Sequence, residues 1–402
     1  MKHFTIYLRC LVLWGIALII PQNTKAQVDS TLLKSMDSVT VSLLTCGPGN
    51  EIYSYYGHTA IRYRDAARGQ DLAINYGIFS FQKSFFILRF IFGLTDYEMG
   101  IEDLSDFVYT YANRGSWVKE QVLNLTREEK WAITQAIDNN YRPENRVYRY
   151  NYFYDNCTTR ARDMIVNHIN GQVVYNNNKN ITTSYRTMIH QWNEHQRWAR
   201  LGNDLLLGVH ADAATTNEQQ QFLPDSLRAY FAHAIIIDKQ GKQRALVDST
   251  FYLVPPIVKT IQPEAITPLM VAILWLLITL LVCFIEWKTN KLWWGYSLFN
   301  MLIMAILSII LLAMVFSQHP TVSLNFQILL FCPLHIFMLY PVIKQLRHKQ
   351  LHPYIKLYGI LLCSFLLLSI VQSYAEGIIF VAIAMLIRCI WIAYFTSKKD
   401  KR

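Results

Sequence analysis

The chain has 402 residues, of which 52% are hydrophobic and 16% charged, and its formal net charge is +10. That composition is too apolar for an ordinary soluble protein, and the length leaves room for two domains. Much of the basic excess sits in short links and a tail among apolar runs, so it does not point to nucleic acid, which an exported domain seldom meets.

The first residues have the form of a secretory signal: Lys2 and Arg9 open it, Cys10 to Ile20 is apolar, and Thr24-Lys25-Ala26 precedes Gln27. Cleavage after Ala26 is expected, giving a signal peptide over 1–26, with an uncleaved anchor as the rival reading. Either way the domain behind it is exported. The mixed, polar text up to about residue 260 is read as one soluble α+β domain over 27–260.

Within that domain Ser30–Ser38 reads as a lead helix. Val39–Leu44 alternates β-branched and apolar residues like a strand, and Cys46-Gly47-Pro48-Gly49-Asn50 is a turn. Gly57-His58-Thr59-Ala60-Ile61-Arg62-Tyr63-Arg64 is a second strand, and Asp71–Tyr76, closed by Gly77, a third. The three are expected to pair antiparallel, with His58 near a strand's start. Leu104–Asn113 looks helical, Trp117–Leu123 reads as a strand, and Thr126-Arg127-Glu128-Glu129 opens a helix with a capping-box pattern. Asp155 or Asn156 then caps a helix from Cys157 to about Ile169. Farther on, Asn217–Phe222 and Pro224–Ala232 read as helical, and Ala234–Asp238 with Ala245–Leu253 as a hairpin through Gly241.

From Ile266 to Phe395 long apolar runs alternate with short polar links. Five spans of roughly 20 residues each fit a bilayer: 266–285, 294–316, 324–343, 354–373 and 378–395. The links carrying Lys288 and Lys291, then Lys344, Arg347, Lys349 and Lys356, alternate with links that have no lysine or arginine, and the tail 396–402 is basic. The positive-inside rule puts the C-terminus in the cytoplasm and the N-terminal domain outside it, which agrees with the signal. Arg388 lies near the cytoplasmic end of its span and is expected to snorkel, while Glu286 and Glu376 fall at span ends.

The exported part holds two cysteines, Cys46 and Cys157, and six histidines. At a helix start the exposed amide N–H groups and the dipole favour a thiolate. Cys157 there, with His58 on a strand, suits a thiol nucleophile and an imidazole base. Asn75, on the neighbouring strand, is the candidate to orient the imidazole. For an oxyanion the donors on offer are the Cys157 backbone N–H, the Asn156 side chain and Tyr53. Arg62 is a candidate for a substrate phosphate, with a water-facing strand arginine as the plainer reading. Arg160 and Asp163, three apart on the helix, are expected to pair with each other. A Cys46–Cys157 disulfide is the chief competing reading, since exported cysteines oxidise. His190 and His195 are five apart and do not share a helix face, so no metal site is expected. No cofactor is called for.

With a Gly-His-Thr strand followed about 100 residues later by Asn-Cys at a helix start, the domain resembles the circularly permuted papain-like fold of the NlpC/P60 and lecithin:retinol acyltransferase superfamily. More closely, LLTCGPGNEIYSYYGHTAIRYRD, INYGIF, NCTTRARD and FLPDSL, ahead of a multi-span tail, resemble the Lnb family of bacterial lipoprotein N-acyltransferases. The resemblance implies a multi-pass inner-membrane enzyme with a periplasmic thiol domain. It would move a fatty acyl chain from a glycerophospholipid, through a Cys157 thioester with His58 as base, to the α-amine of a diacylglyceryl lipoprotein. Two other readings stay open: an exported thiol hydrolase acting on peptidoglycan peptides or phospholipids, and a non-enzymatic membrane assembly or binding protein.

Overall fold

A computed structural model describes residues 30–79, 84–175, 182–257 and 263–397. The expected signal peptide, 1–26, and the basic residues 398–402 lie outside them. The soluble part begins with α1 (Ser30–Ser35), β1 (Val39–Cys46), β2 (His58–Asp65), β3 (Gln70–Ile78), α2 (Phe86–Ile91), β4 (Asp96–Asp103), α3 (Leu104–Asn113), β5 (Val118–Leu123), α4 (Arg127–Tyr141) and β6 (Val147–Arg149). It continues with α5 (Cys157–Val166), β7 (Gln172–Tyr175), α6 (Tyr185–His190), α7 (Arg197–Leu206), α8 (Pro224–Ala232), β8 (Ala234–Ile237), β9 (Gln243–Ala245) and β10 (Val247–Val254).

Seven strands form one antiparallel sheet in the order β10-β5-β1-β2-β3-β4-β6, and β7-β8-β9 form a small second sheet. β1 is central and buried on both faces, which is why its text VTVSLLTC is apolar or small almost throughout instead of alternating. On one face α3 lays down Leu104, Phe107 and Tyr111, at helical spacing, over Leu44, Ala60 and Ala73. On the other, α4, α5 and α8 bury Ile133, Ile165 and Leu227 against Val41, Leu43 and Ile61.

The start of α4 is over-determined. Thr126 and Glu129 form the reciprocal capping box, and the buried Glu129 carboxylate also accepts from the Asn170 N–H and from Arg244. One carboxylate therefore ties a helix start to two later segments.

The expected hairpin of Ala234–Asp238 with Ala245–Leu253 is divided between the two sheets. β9 pairs with β8, and the next strand, β10, leaves to pair with β5 on the edge of the large sheet. Leu246 is the crossing point: its N–H donates to the Ala234 carbonyl and its own carbonyl accepts from Asn124. Strands β4 and β7 are additional to the sequence reading: β7 has only four residues, whereas β4, DYEMGIED, alternates Tyr97, Met99 and Ile101 with Glu98, Gly100 and Glu102 as a half-buried strand does.

The C-terminal part is helical: α9 (Pro268–Thr289), α10 (Trp294–Val315), α11 (Leu334–Arg347), α12 (Pro353–Leu368) and α13 (Ile378–Ser397). Among the described residues four segments are long and apolar enough to cross a membrane, namely 268–289, 294–315, 326–347 and 378–397. The fourth expected span is shorter, because α12 stops at Leu368 and has 16 residues. At about 1.5 Å per residue that helix reaches roughly 24 Å, against a hydrocarbon core of about 30 Å. Arg388 does not snorkel. It is buried between α9 and α10, where it makes a bidentate pair with Glu286, at 2.6 and 2.9 Å, and also bonds Ser297. Trp391 Nε1 and the Trp293 N–H complete the Glu286 carboxylate, so neither charge is left unpaired.

The two parts are docked through polar groups as well as apolar ones. α7 presses Leu201 and Leu205, one turn apart, on the helical bundle. Around its end the Arg186 guanidinium joins Asp204, Asp212 and the Leu207 carbonyl. Gln327 Nε2 donates to Asp204 O, Gln372 Nε2 to Leu207 O, and Asn325 Nδ2 to Leu205 O. Arg197 pairs with Glu376 at 2.7 Å. All these bundle residues lie between the long helices, in 316–333 or 369–377, stretches without lysine or arginine, so the soluble part sits on the end of the bundle away from the basic links.

Candidate active site

The α5 helix starts where it does because Asn156 caps it. Its Oδ1 accepts from the Thr158 and Thr159 N–H groups at 2.9 Å each, and Thr159 Oγ1 accepts in return from the Asn156 N–H. The Asn156 amide nitrogen donates to the Tyr152 and Phe222 carbonyls, so the side chain is fully employed. It is a cap and an anchor, with nothing left to offer an oxyanion. Cys157 consequently occupies the first helical position, half-buried, with its backbone N–H at the mouth of the helix.

His58 opens β2. Gly57 before it has φ of 78°, and a Cβ there would overlap the Cys46 carbonyl oxygen, so glycine is the residue that lets the chain turn into the strand. On β3 Gly77 has φ of 83° at the irregularity between Asn75 and Ile78, and a Cβ there would touch the Cys157 Cβ at 3.5 Å. These two glycines bring the β2 and β3 backbones close to the thiol.

The structure brings Cys157, His58 and Asn75 together. His58 Nε2 lies 3.0 Å from Asn75 Oδ1, and the imidazole neighbours the Cys157 thiol closely enough that each stabilises the charged form of the other. Asn75 is itself held, since its Nδ2 donates to Glu102 Oε1 at 2.6 Å. The imidazole lies nearly parallel to the Tyr111 ring, with centroids 6.3 Å apart and an interplanar angle of 13°. Thr158 Oγ1 is 3.8 Å from the sulfur and 3.1 Å from Thr59 Oγ1.

The electrostatics favour an ion pair. Burial pushes the Cys157 thiol up, yet the His58 charge, hydrogen bonds from His58 and the Thr59 N–H, and the Thr158 hydroxyl outweigh it and hold the thiol below its ordinary range. Burial likewise pushes the His58 imidazole down, but the Cys157 charge and hydrogen bonds from Cys157 and Asn75 reverse the sign and leave it raised. Burial raises the Glu102 carboxyl, opposed by Asn75 and by His58.

The remaining candidates fall elsewhere. Arg62, four residues along β2 from His58, is locked between Asp71 and Glu120 at 2.6 Å each, with its side chain only 12% exposed, so it is not presented to a phosphate. Tyr53 stands at the rim, 60% exposed, with its ring edge-on to Phe79 at 5.7 Å. Arg160 pairs with Asp155 and covers the Tyr148 ring at 3.6 Å, while Asp163 pairs with Arg162, so the expected Arg160–Asp163 bridge is absent. The intervening helical turn carries Arg160 back over the loop that precedes it. Cys46 and Cys157 are both free thiols, and burial drives the Cys46 thiol far up, making it inert. His190 is hydrogen-bonded to Asp204 in the docking network.

Glu102 was not legible in the sequence. It lies on the face of β4 opposite Tyr97, Met99 and Ile101, and it reaches His58 through Asn75 across three paired strands. Tyr111 is visible in the sequence only as an apolar position of a helix.

Two family models match the chain in succession: the Lnb N-terminal periplasmic domain over residues 30–191 and the Lnb transmembrane domain over residues 260–400. Searches of curated proteins and of solved structures found no match. The first model spans His58, Asn75 and Cys157, and the second spans the whole helical bundle on which that domain is docked. The chain therefore belongs to the Lnb family of membrane-anchored lipoprotein-modifying enzymes.

Proposed function

We propose that this protein is a lipoprotein N-acyltransferase working through an acyl-thioester on Cys157. The observation that carries the reading is the Cys157–His58–Asn75 arrangement, with the thiol at a helix N-terminus and each charge stabilised by the other. The cysteine helix packed against strands that bear the histidine and asparagine, in the chain order His, Asn, Cys, supports a permuted papain-like reading of the domain.

In the first half-reaction the thiolate attacks the carbonyl carbon of a phospholipid acyl ester. The C–S bond forms, and the oxyanion is met by the Cys157 backbone N–H, with the Tyr53 hydroxyl at the rim as second donor. When the intermediate collapses, the ester C–O bond breaks and the His58 imidazolium gives its proton to the leaving alkoxide, releasing a lysophospholipid. In the second, the α-amine of a diacylglyceryl cysteine attacks the thioester and His58 takes a proton from it. The C–S bond breaks, the amide is formed and the thiolate is regenerated. Asn75 keeps the imidazole oriented through both halves. Hydrolysis is limited by keeping water from the thioester, a task for a site held close to the bilayer.

The soluble domain is assigned to the periplasm and the basic links to the cytoplasm of an inner-membrane protein, supported by the docking of the domain on the bundle end that is poor in lysine and arginine. α12 is read as a fifth, short span, supported by its packing inside the bundle, where Leu362 and Phe365 are fully buried.

The test is the acylation state of a reporter lipoprotein, read by mass spectrometry in a strain lacking its own N-acyltransferase. Wild type is expected to add a third acyl chain, and Cys157→Ser and His58→Ala to add none while inserting normally. A wild type that inserts and adds no chain sinks the reading and makes hydrolysis of lipid or wall peptide the next assay.

A further inference from the structure

Beside the active site α2 carries the sequence FILRFI and turns most of it outward. Phe85 is 76% exposed, Ile87 71%, Leu88 52% and Phe90 39%, a patch unlike the rest of the soluble surface. Its position relative to the bundle is fixed by hydrogen bonds. The Gln318 N–H donates to the Phe92 carbonyl at 3.0 Å, and His319 Nε2 is 3.1 Å from the Phe90 carbonyl. Gln318 and His319 immediately follow the end of α10, whose last residues Val315 and Phe316 are themselves exposed and apolar. The patch therefore continues the lipid-facing surface of the spans at its edge.

The same helix leads inward. Phe90 faces Phe86, Phe86 stacks on Phe79 at 5.5 Å, and Phe79 meets Tyr97 at 5.0 Å. Phe79 follows Gly77 by two residues, and Gly77 is the residue against the Cys157 Cβ. Aromatic contacts thus run without a break from the end of a span to the neighbourhood of the thiol.

We propose that α2 is an interfacial helix whose Phe85, Ile87 and Leu88 insert into the adjoining leaflet, and that the Phe90–Phe86–Phe79 strip guides a phospholipid acyl chain from that leaflet to Cys157. The guiding role rests on the acyl-thioester reading above; the membrane contact does not. The occupant is the bilayer, because the patch is contiguous with the span surface and has, among the described residues, no acidic or basic residue other than Arg89, which is paired with Asp96 and the Leu94 carbonyl.

The experiment uses the full chain in vesicles of phosphatidylethanolamine and phosphatidylglycerol doped with a phospholipid bearing a diazirine in one acyl chain. Irradiation, digestion and mass spectrometry are expected to find label on the peptide 85–90 as well as on the spans. The double variant Ile87→Asp/Leu88→Asp is expected to lose that label and to form the Cys157 acyl-thioester about tenfold or more slowly, while iodoacetamide alkylates its Cys157 within about twofold of the wild-type rate. Label confined to the spans, or undiminished thioester formation in the variant, overturns the proposal. If alkylation also collapses, the milder Ile87→Ser/Leu88→Ser pair decides: thioester formation at the wild-type rate overturns the proposal and a selective loss sustains it. A wild type that is labelled on α2 and forms no thioester removes the acyltransferase reading and the guiding role while leaving the membrane contact in place.

Discussion

At the level of single residues, Cys157 and His58 are chemically useful because each distorts the other's titration. The thiol is held below its ordinary range, so its thiolate survives to lower pH than that of a free thiol and is lost as pH falls through the lowered value. The imidazole is held above its ordinary value, so the imidazolium persists until pH rises through the raised one. Alkylation of Cys157 by iodoacetamide is therefore expected to persist to lower pH than alkylation of a free thiol and to fall off below its own midpoint. In His58→Ala the burial of the sulfur is unopposed by the imidazolium, and the alkylation midpoint is expected to move to or above the ordinary thiol value. An unchanged midpoint would show that the pair does not form. Glu102 is a positioning residue one step back. Glu102→Ala removes the acceptor for the Asn75 amide, and a hydrogen bond to a charged group of about 1.5–3 kcal/mol corresponds to a loss of roughly tenfold or more in acylation rate. Glu102→Gln keeps an acceptor oxygen and is expected to restore most of the rate with the same pH profile. Equal loss in both variants would assign Glu102 a purely electrostatic role.

Among the elements, β2 and α5 are placed by short-range devices readable in the text. Gly57 is one of them. Gly57→Ala puts a Cβ at φ of 78° and against the Cys46 carbonyl, a strain of about 1–2 kcal/mol before the overlap is counted. The variant is expected to melt lower and to lose activity out of proportion to its stability, because relief moves His58 and not the remote core. Thermal unfolding together with the acylation rate checks this, and a variant with normal activity but reduced stability would refute it. Of the strands additional to the sequence reading, β7 has four residues, too few to announce itself, whereas β4 alternates Tyr97, Met99 and Ile101 with Glu98, Gly100 and Glu102 and is legible by its pattern. The divided hairpin was illegible for a different reason: Val247–Val254 fits either sheet by pattern, and the edge of β5 claims it.

For the whole molecule, the decisive feature is the polar dock between domain and bundle. Arg186 is buried in it with two carboxylates and three carbonyls. Removing the guanidinium takes the shared cation from the buried Asp204, which keeps His190 and Arg200, and from the half-buried Asp212, a cost of up to about 3–5 kcal/mol. Arg186→Ala is expected to loosen the domain on the bundle, seen as faster proteolysis of the 255–267 connection in the full-length protein. Alkylation of Cys157 is expected to be spared, since no Arg186 contact reaches the thiol. Resistance equal to wild type would show that the apolar contacts of α7 suffice to hold the domain. The buried Arg388–Glu286 pair shows the same logic within the bundle, where a charge that reads as a snorkelling side chain is a fully satisfied strut between helices.

By itself the sequence determined what local chemistry determines: an apolar C-terminal third that must span or line a membrane, an Asn-Cys helix start, a Gly-His strand entry, and the charge bias of the links. Each depends on residues near in sequence, through capping, backbone freedom or hydrophobic run length. Tertiary structure alone decided that Arg62 and Asn156 are consumed by other partners, that Glu102 stands behind Asn75, that α12 is shorter than its apolar text, and that α2 lies at the edge of the spans. Those outcomes turn on contacts between residues far apart in the chain, and a side chain's availability is set by which distant group reaches it first.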